Sequence, residues 1–399
     1  MSVTVPAGFR AAGVRAGLKA SGRPDLALVV NDGPLDVAAG VFTTNRVVAA
    51  PVVWSRSAIA DGGARAVILN SGSANACTGA RGADDAAATA ARVAELLTDS
   101  DPHRPARPDD VLVCSTGVIG VPLDMPALLS GAGRAAGALA PTPEAGHDAA
   151  RAIMTTDTVP KEDAVSRTAD GVAWSAGGMI KGVGMLAPGL ATMLCVITTD
   201  AVVDAAAARA ALGGAVARTV NRINSDGCMS TNDTVLLLAS GASGARPSPA
   251  ELGGALTELL ARLGRRLVAD AEGATHDIAI TVSGAVSEAA AETAARAVSA
   301  SNLLKCAVAG GDPNWGRVLA QLGTVPAEAC PFDPDEVDVA INGVVIFRHG
   351  APGEDRDAVD MTPRETRIDI DLSAGSAEAT VWTNDLTHGY ITINADYTT

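Results

Sequence analysis

The sequence predicts an α/β fold divided into two domains, and three observations lead there. Short apolar segments with strand-like alternation recur between alanine-rich helical stretches, the mixed pattern of helices and sheets packed in layers. With 399 residues, 48% of them hydrophobic, and a positive mean hydropathy, the chain can fill two or three cores. Turn signals of the hairpin type gather toward the C-terminal end.

In chain order, an alanine-rich stretch predicts a helix over 84–97. Proline-rich stretches at 102–108 and 141–160 predict loops, neither long nor charged enough to be a free linker. "KGVGMLAPGLATMLCVITTDA", 181–201, starts as a glycine-rich turn and ends as an apolar strand. "SPAELGGALTELLARLG" is the clearest helix. Ser248 stands at its cap, Pro249 in the first turn and Glu251 completes a capping box, while Leu252, Leu256, Leu259, Leu260 and Leu263 share one face. The strand "DIAITVSGAV" follows His276 and sets a boundary between domains 1–276 and 277–399. "VDVAINGVVIF" predicts a hairpin, with Val337, Val339 and Ile341 alternating into an Asn342-Gly343 turn, and "RIDIDLSAGSAEATVWT" predicts a second around Gly375. No internal repeat or low-complexity tract interrupts this order.

Charge and composition exclude several classes of function. A net charge of -15 argues against nucleic acid, whose phosphates are gripped by clustered Lys and Arg, and 3% aromatics leave few stacking platforms. Apolar runs fall far below the ~18 residues of a membrane span, and "MSVTVPAGFRAAGVRAG" lacks the apolar core of a signal peptide, so no membrane contact and a cytoplasmic location are expected. Cys77, Cys114, Cys195, Cys228, Cys306 and Cys330 form no C-x-x-C pair, and the five histidines have no ligand spacing. Neither a metal nor a disulfide framework is expected, and the cysteines read as small buried hydrophobes in a reducing compartment. Lysine is the rarest charged residue, at Lys19, Lys161, Lys181 and Lys305 only.

Few motifs carry chemistry on their face. "GVGMLA" at 182–187 formally matches a dinucleotide turn, but Pro188 and Gly189 follow at once and no helix begins there to hold a pyrophosphate. No G-x-S-x-G elbow is present. Thr192, behind the small Ala191 where loop becomes strand, offers another route. A threonine freed at its N-terminus carries its own base, because an α-amine titrates near ~7.7–8.0. Spacing alone favours a β-branched residue in a buried strand, and only the wider sequence overturns that reading. "CSTGVIG", 114–120, puts Thr116 and Gly117 on a tight turn that can aim a hydroxyl and an N–H at an oxyanion, or can simply end a strand. "MTTDT" (154–158), "AEGAT" (271–275) and "NADYTT" (394–399) are polar clusters beside apolar segments, caps or turns by spacing alone.

Together these segments resemble the glutamate N-acetyltransferase family, the ornithine acetyltransferases of arginine biosynthesis. The match runs in order through "GFRAAGVRAGLK", "AGVFTTNRVVAAPV", "NSGSANACTG", "STGVIG", "IMTTDT", "KGVGMLAPGLATMLCVITTDA", "STNDTVLLLASG", "DAEGATHDI", "GGDPNWGR" and "INADYTT". The resemblance implies self-cleavage between Ala191 and Thr192 into α (1–191) and β (192–399) chains. Thr192 would then carry acetyl from N-acetylornithine to glutamate by a ping-pong route through acetyl-threonine. It implies Thr116 and Gly117 as the oxyanion hole, and Thr155, Lys181, Thr192, Glu272, Asn394 and Thr399 as substrate contacts. Lys181 suits an α-carboxylate and Glu272 a side-chain ammonium. Three positions depart from the family pattern: Gly189 for asparagine or serine, Ser73 for asparagine, and His276 where lysine is common.

The implied fold is a sandwich of β-sheets flanked by helices, similar to the self-processing aminopeptidases, with a smaller C-terminal α/β domain. The implied partners are the α and β chains of one precursor, as α2β2 or larger, and no cofactor is implied. Some members also use acetyl-CoA, and no residue in the sequence decides that. A self-processed amidase or aminopeptidase, with water replacing glutamate, is the alternative, and a non-catalytic assembly protein is a third reading that the intact Thr192, Thr116 and Gly117 oppose.

Overall fold

The structure is a computed structural model and describes residues 2–185 and 193–396. Two sheets stack face to face. The first runs in the order β1 (Phe9–Val14), β2 (Leu26–Asn31), β4 (Ala66–Ser73) and β5 (Val111–Val118), antiparallel except for the β4–β5 pair. The second runs β3 (Val37–Phe42), β9 (Thr234–Ala239), β8 (Leu194–Thr199), β7 (Val172–Lys181) and β6 (Lys161–Ala169), with β8 and β9 parallel.

The alternation of side chains along a strand explains why these strands read as continuous apolar runs. Ala27 and Val29 of β2 meet Leu194 and Val196 of β8 in the seam between the sheets. Their neighbours Leu26, Leu28 and Val30 face outward, onto Ala90 and Val93 of α2 (Gly79–Ser100) and Leu128 and Ala132 of α3 (Met125–Gly137). On the opposite face, Cys195 and Ile197 pack on Leu212 and Val216 of α5 (Ala205–Arg218) and on α6 (Pro249–Ala269). Helix, sheet, sheet, helix is therefore the layering. Two further helices, α1 (Ala50–Ala58) and α4 (Pro143–Ala152), add alanines to the seam.

The capping box predicted for α6 is present: Ser248 Oγ accepts from the Glu251 amide at 3.3 Å and the Ser248 amide donates to Glu251 Oε2 at 2.7 Å. All five leucines of the predicted face are buried, each contributing roughly 1.5–3 kcal/mol of transfer free energy. The helix expected over 84–97 extends to Gly79–Ser100. The 141–160 loop is corrected, because Pro143 opens α4 as its first residue while Thr142 Oγ1 accepts from the Ala145 amide at 3.3 Å. Proline's fixed φ and missing N–H suit that first position, so it starts the helix here.

A third sheet follows in the order β13 (Ala351–Pro352), β12 (Val344–Arg348), β11 (Asp338–Ile341), β14 (Glu365–Asp371), β10 (Asp277–Ala285) and β15 (Ala377–Asn384). Its core draws on residues from Ile278 to Val381 and includes α7 (Glu288–Ser299), α8 (Asn302–Ala309) and α9 (Trp315–Leu322). Asn342 and Gly343 both have positive φ, +49° and +87°, as the predicted β11–β12 hairpin requires. The hairpin expected around Gly375 does not form. β14 and β15 flank Gly375 but do not pair, because β10 lies between them, parallel to one and antiparallel to the other. The 372–376 connection thus spans two strand spacings, and a Cβ on Gly375 would lie 2.3 Å from the Ala285 carbonyl oxygen it passes. The last described helix, α10 (His388–Asp396), returns toward the sandwich.

The cysteine expectation holds for half of the set: Cys114, Cys195 and Cys330 are buried, whereas Cys77, Cys228 and Cys306 are exposed and all six are unpaired. Among the described residues no helix is long and apolar enough to cross a membrane.

Candidate active site

The cleft forms where strands of the two stacked sheets end together. The β4–β5 ladder slips at Gly72 and Ser73, opposite Thr116 to Val118, and a slip of this kind re-aims the residues that follow. Gly117 has φ +130°, and a Cβ there would lie 2.4 Å from the Gly72 carbonyl carbon, so glycine alone fits both the dihedral and the space. The neighbouring Thr116 is 4% exposed, and its Oγ1 accepts from Lys181 Nζ at 3.2 Å. Lys181 ends β7 opposite Leu194, the start of β8. A hydroxyl that accepts from an ammonium keeps its own proton free to donate, and is polarised to do so.

Behind Lys181 stands a buried ion cluster. Asp157 Oδ1 accepts from Lys161 Nζ at 2.7 Å and from the Gly182 amide at 2.8 Å, while its Oδ2 accepts from the Thr155 amide at 2.9 Å. Lys161 Nζ also donates to Asp270 Oδ2 at 2.5 Å. Burial would raise the Asp157 pKa, but the charges of Lys181 and Lys161 outweigh it and hold the carboxyl below the usual range. Burial pushes the Lys181 ammonium down, and Asp157 opposes that shift.

Opposite Lys181 lies an acidic wall. Glu272 Oε1 accepts from Thr156 Oγ1 at 2.9 Å and Oε2 from Asn394 Nδ2 of α10 at 3.0 Å. Its main-chain amide donates to the Val183 carbonyl at 3.0 Å, which ties the wall to the end of β7. Gly273 (φ +66°) lets α10 come close, since a Cβ there would lie 2.3 Å from the Tyr390 amide. Burial pushes the Tyr390 hydroxyl up to about 12, with Asp226 adding to the shift, so it stays a neutral donor. Where the described chain resumes, the Met193 amide donates to Asp233 Oδ1 at 3.0 Å. Burial pushes the Asp233 carboxyl well above its usual range, against that amide and Lys181.

A family model described as the ArgJ family matches residues 10–399. The chain belongs to the ArgJ family. It is 60% identical over 399 residues to the arginine biosynthesis bifunctional protein ArgJ of Bifidobacterium longum (strain NCC 2705), covering all of both chains. It is 54% identical, again over the full length of both, to the protein of the same name from Thermobifida fusca (strain YX). Among solved structures, the ornithine acetyltransferase of Mycobacterium tuberculosis complexed with ornithine is 48% identical at a TM-score of 0.42, covering 48% of this chain and 96% of that one.

In this ArgJ-family chain, Thr116, Gly117, Thr155, Lys181, Glu272 and Asn394 line one cleft, brought there from separate stretches of sequence. Ala191, Thr192 and Thr399 lie outside the described residues, as does Gly189. Asp157, Lys161, Asp270, Asp226 and Tyr390 were not singled out by the sequence. The rarity of lysine was the available signal, since three of the four, Lys161, Lys181 and Lys305, are at most 5% exposed. Asn232 was also missed. Its Nδ2 donates to the carbonyls of Ala74 at 2.6 Å and Ser115 at 2.9 Å, joining the ends of β4 and β5 to the segment before β9.

Proposed function

We propose that this protein moves an acetyl group from N-acetylornithine to glutamate in arginine biosynthesis, after cutting itself between Ala191 and Thr192. The observation that carries this reading is the meeting of Thr116, Gly117, Lys181 and Glu272 at one cleft, with Leu194 at the start of β8 paired to Lys181. Membership of the ArgJ family and the printed names of its relatives support it.

In the first half-reaction the Thr192 hydroxyl attacks the acetyl carbonyl, and its proton passes to the free α-amine of the same residue. The Thr116 hydroxyl and the Gly117 N–H donate to the oxyanion, the Lys181 ammonium pairs with the substrate α-carboxylate, and Glu272 takes the side-chain ammonium. As the C–N bond breaks, the α-ammonium returns its proton to the leaving nitrogen, and ornithine departs from an O-acetyl-threonine. Glutamate's amine then attacks that ester, N-acetylglutamate forms, and Thr192 regains its proton. Thr155, Asn394 and Thr399 complete the substrate contacts in this reading, and acetyl-CoA is a second acetyl source for the same ester. The α (1–191) and β (192–399) chains stay joined, as the units of an α2β2 or larger assembly in the cytoplasm.

The test is the denatured intact mass of the purified protein beside Thr192→Ala. Two fragments, the larger starting at Thr192, with a single uncut chain in the variant, are expected. One uncut species in both samples would leave the nucleophile without its base and overturn the mechanism. Acetyl transfer from acetylornithine to glutamate by the processed protein is expected alongside, and hydrolysis without an acceptor would favour an amidase instead.

A further inference from the structure

A second cavity, of about 290 Å³, adjoins the first and shares Asp226, Glu272 and Tyr390 with it as a common wall. It is built from the 224–227 loop, the junction of α7 with α8, and the connection from β15 into α10. Its volume far exceeds the space one water needs. Parts of its lining are already tied to each other: Asn224 Nδ2 donates to Ser299 Oγ, and Ser225 Oγ to Asn384 Oδ1, both at 2.8 Å.

Lys305 of α8 is left over from this pairing. It is 5% exposed, and its ammonium donates to the main-chain carbonyl of Ser225, its one hydrogen-bond acceptor among the described residues. An ammonium carries three donors, and a buried cation so sparsely partnered is costly to keep. Burial pushes its pKa down, with the charges of Asp226 and Asp385 opposing. Asp385 is itself engaged, accepting from the Thr275 amide at 2.9 Å and contacting His276 Nδ1 at 3.0 Å.

The chemistry of a two-substrate exchange on one nucleophile says what such a cation is for. Ornithine and glutamate present the same amine and α-carboxylate and differ at the far end, where one carries an ammonium and the other a carboxylate. Glu272 suits the ammonium and repels the carboxylate. A carboxylate at that end is held most strongly by a cation, and among the described residues lining the two cavities the cations are Lys181 and Lys305. Lys181 is assigned to the α-carboxylate. Of the other lysines, Lys161 is held between Asp157 and Asp270, and Lys19 donates to the carbonyls of Pro24 and Met154.

We infer that Lys305 binds the distal carboxylate of the acceptor and so selects a dicarboxylic amino acid for the second half-reaction. A point charge on a flexible stem suits this task, because it can leave the Ser225 carbonyl for a ligand without moving the helix that carries it. The inference rests on the acetyl-transfer reading of the site.

The experiment compares two acceptors of the acetyl group on the processed enzyme: glutamate, and isotopically labelled ornithine, which reports exchange with acetylornithine. Lys305→Met is expected to lower the ratio of kcat/KM for glutamate to that for ornithine roughly tenfold or more, mainly through the KM for glutamate. Lys305→Arg, which keeps the charge, is expected to recover most of that ratio. A ratio within about twofold of wild type overturns the inference, whether both rates hold or both fall together as they would for a lysine that only supports the fold. Wild-type enzyme inert toward both acceptors would instead overturn the acetyl-transfer reading itself.

Discussion

Asp157 sets the charge balance of the cleft, and its protonation predicts how the protein responds to acid. Its folded-state pKa is depressed, so its contribution to stability is fully present above the unfolded value near ~3.9 and is lost as pH falls through the lower folded value. Breaking a buried pair by removing one partner costs about 3–5 kcal/mol. Asp157→Asn is therefore expected to lower the thermal midpoint by several degrees at pH 7, with the gap to wild type narrowing below about pH 4. Melting curves from pH 7 to pH 3 check this, and a gap independent of pH would remove Asp157's charge from the account. At this scale the site was legible where a residue belonged to a recognisable segment, as Thr116, Lys181 and Glu272 did. Asp157 lay inside the quoted "MTTDT" yet went unread, because its importance comes from Lys161 and Lys181, a pairing that exists only once β6 and β7 lie side by side.

At the scale of single elements, α6 was the most legible part of the chain because its start signal and its apolar face are both local. Removing the hydroxyl in Ser248→Ala takes away the acceptor for the Glu251 amide, and a lost N-cap costs about 1 kcal/mol. The expected outcome is a drop of about 1–2 degrees in midpoint with acetyl transfer intact, since no residue of α6 lines the cleft. A calorimetric scan with no change would mean that this helix start is held by packing on the second sheet alone. The β11–β12 hairpin was legible for the same local reason. The arrangement around Gly375 was not, because two alternating strands joined by a short glycine-containing turn look like a hairpin unless the partner inserted between them is known. That partner, β10, begins almost a hundred residues before Gly375. Proline misled in the opposite direction at α4, where one residue type both ends loops and starts helices.

For the whole molecule, the layered sandwich makes a cut at 191/192 a cut within one sheet. In the order β3, β9, β8, β7, β6, the strands β3, β7 and β6 precede the proposed break, while β9 and β8 follow it. β8 pairs with β7 from Leu194 opposite Lys181 to Thr199 opposite Ala176, and β9 pairs with β3 along its whole length. The α and β chains would thus be joined by two complete ladders, with apolar layers on both faces of the sheet. Separating them would expose those faces and leave both sets of strand edges unpaired, which is the energetics of unfolding rather than of dissociation. We predict that the two fragments co-elute as one species in native buffer and part only in denaturant, at the same concentration at which the sandwich loses its structure. An affinity tag on the N-terminal end should retain the 192–399 fragment through native washes. Its release without loss of structure would show that the two ladders do not hold the halves together.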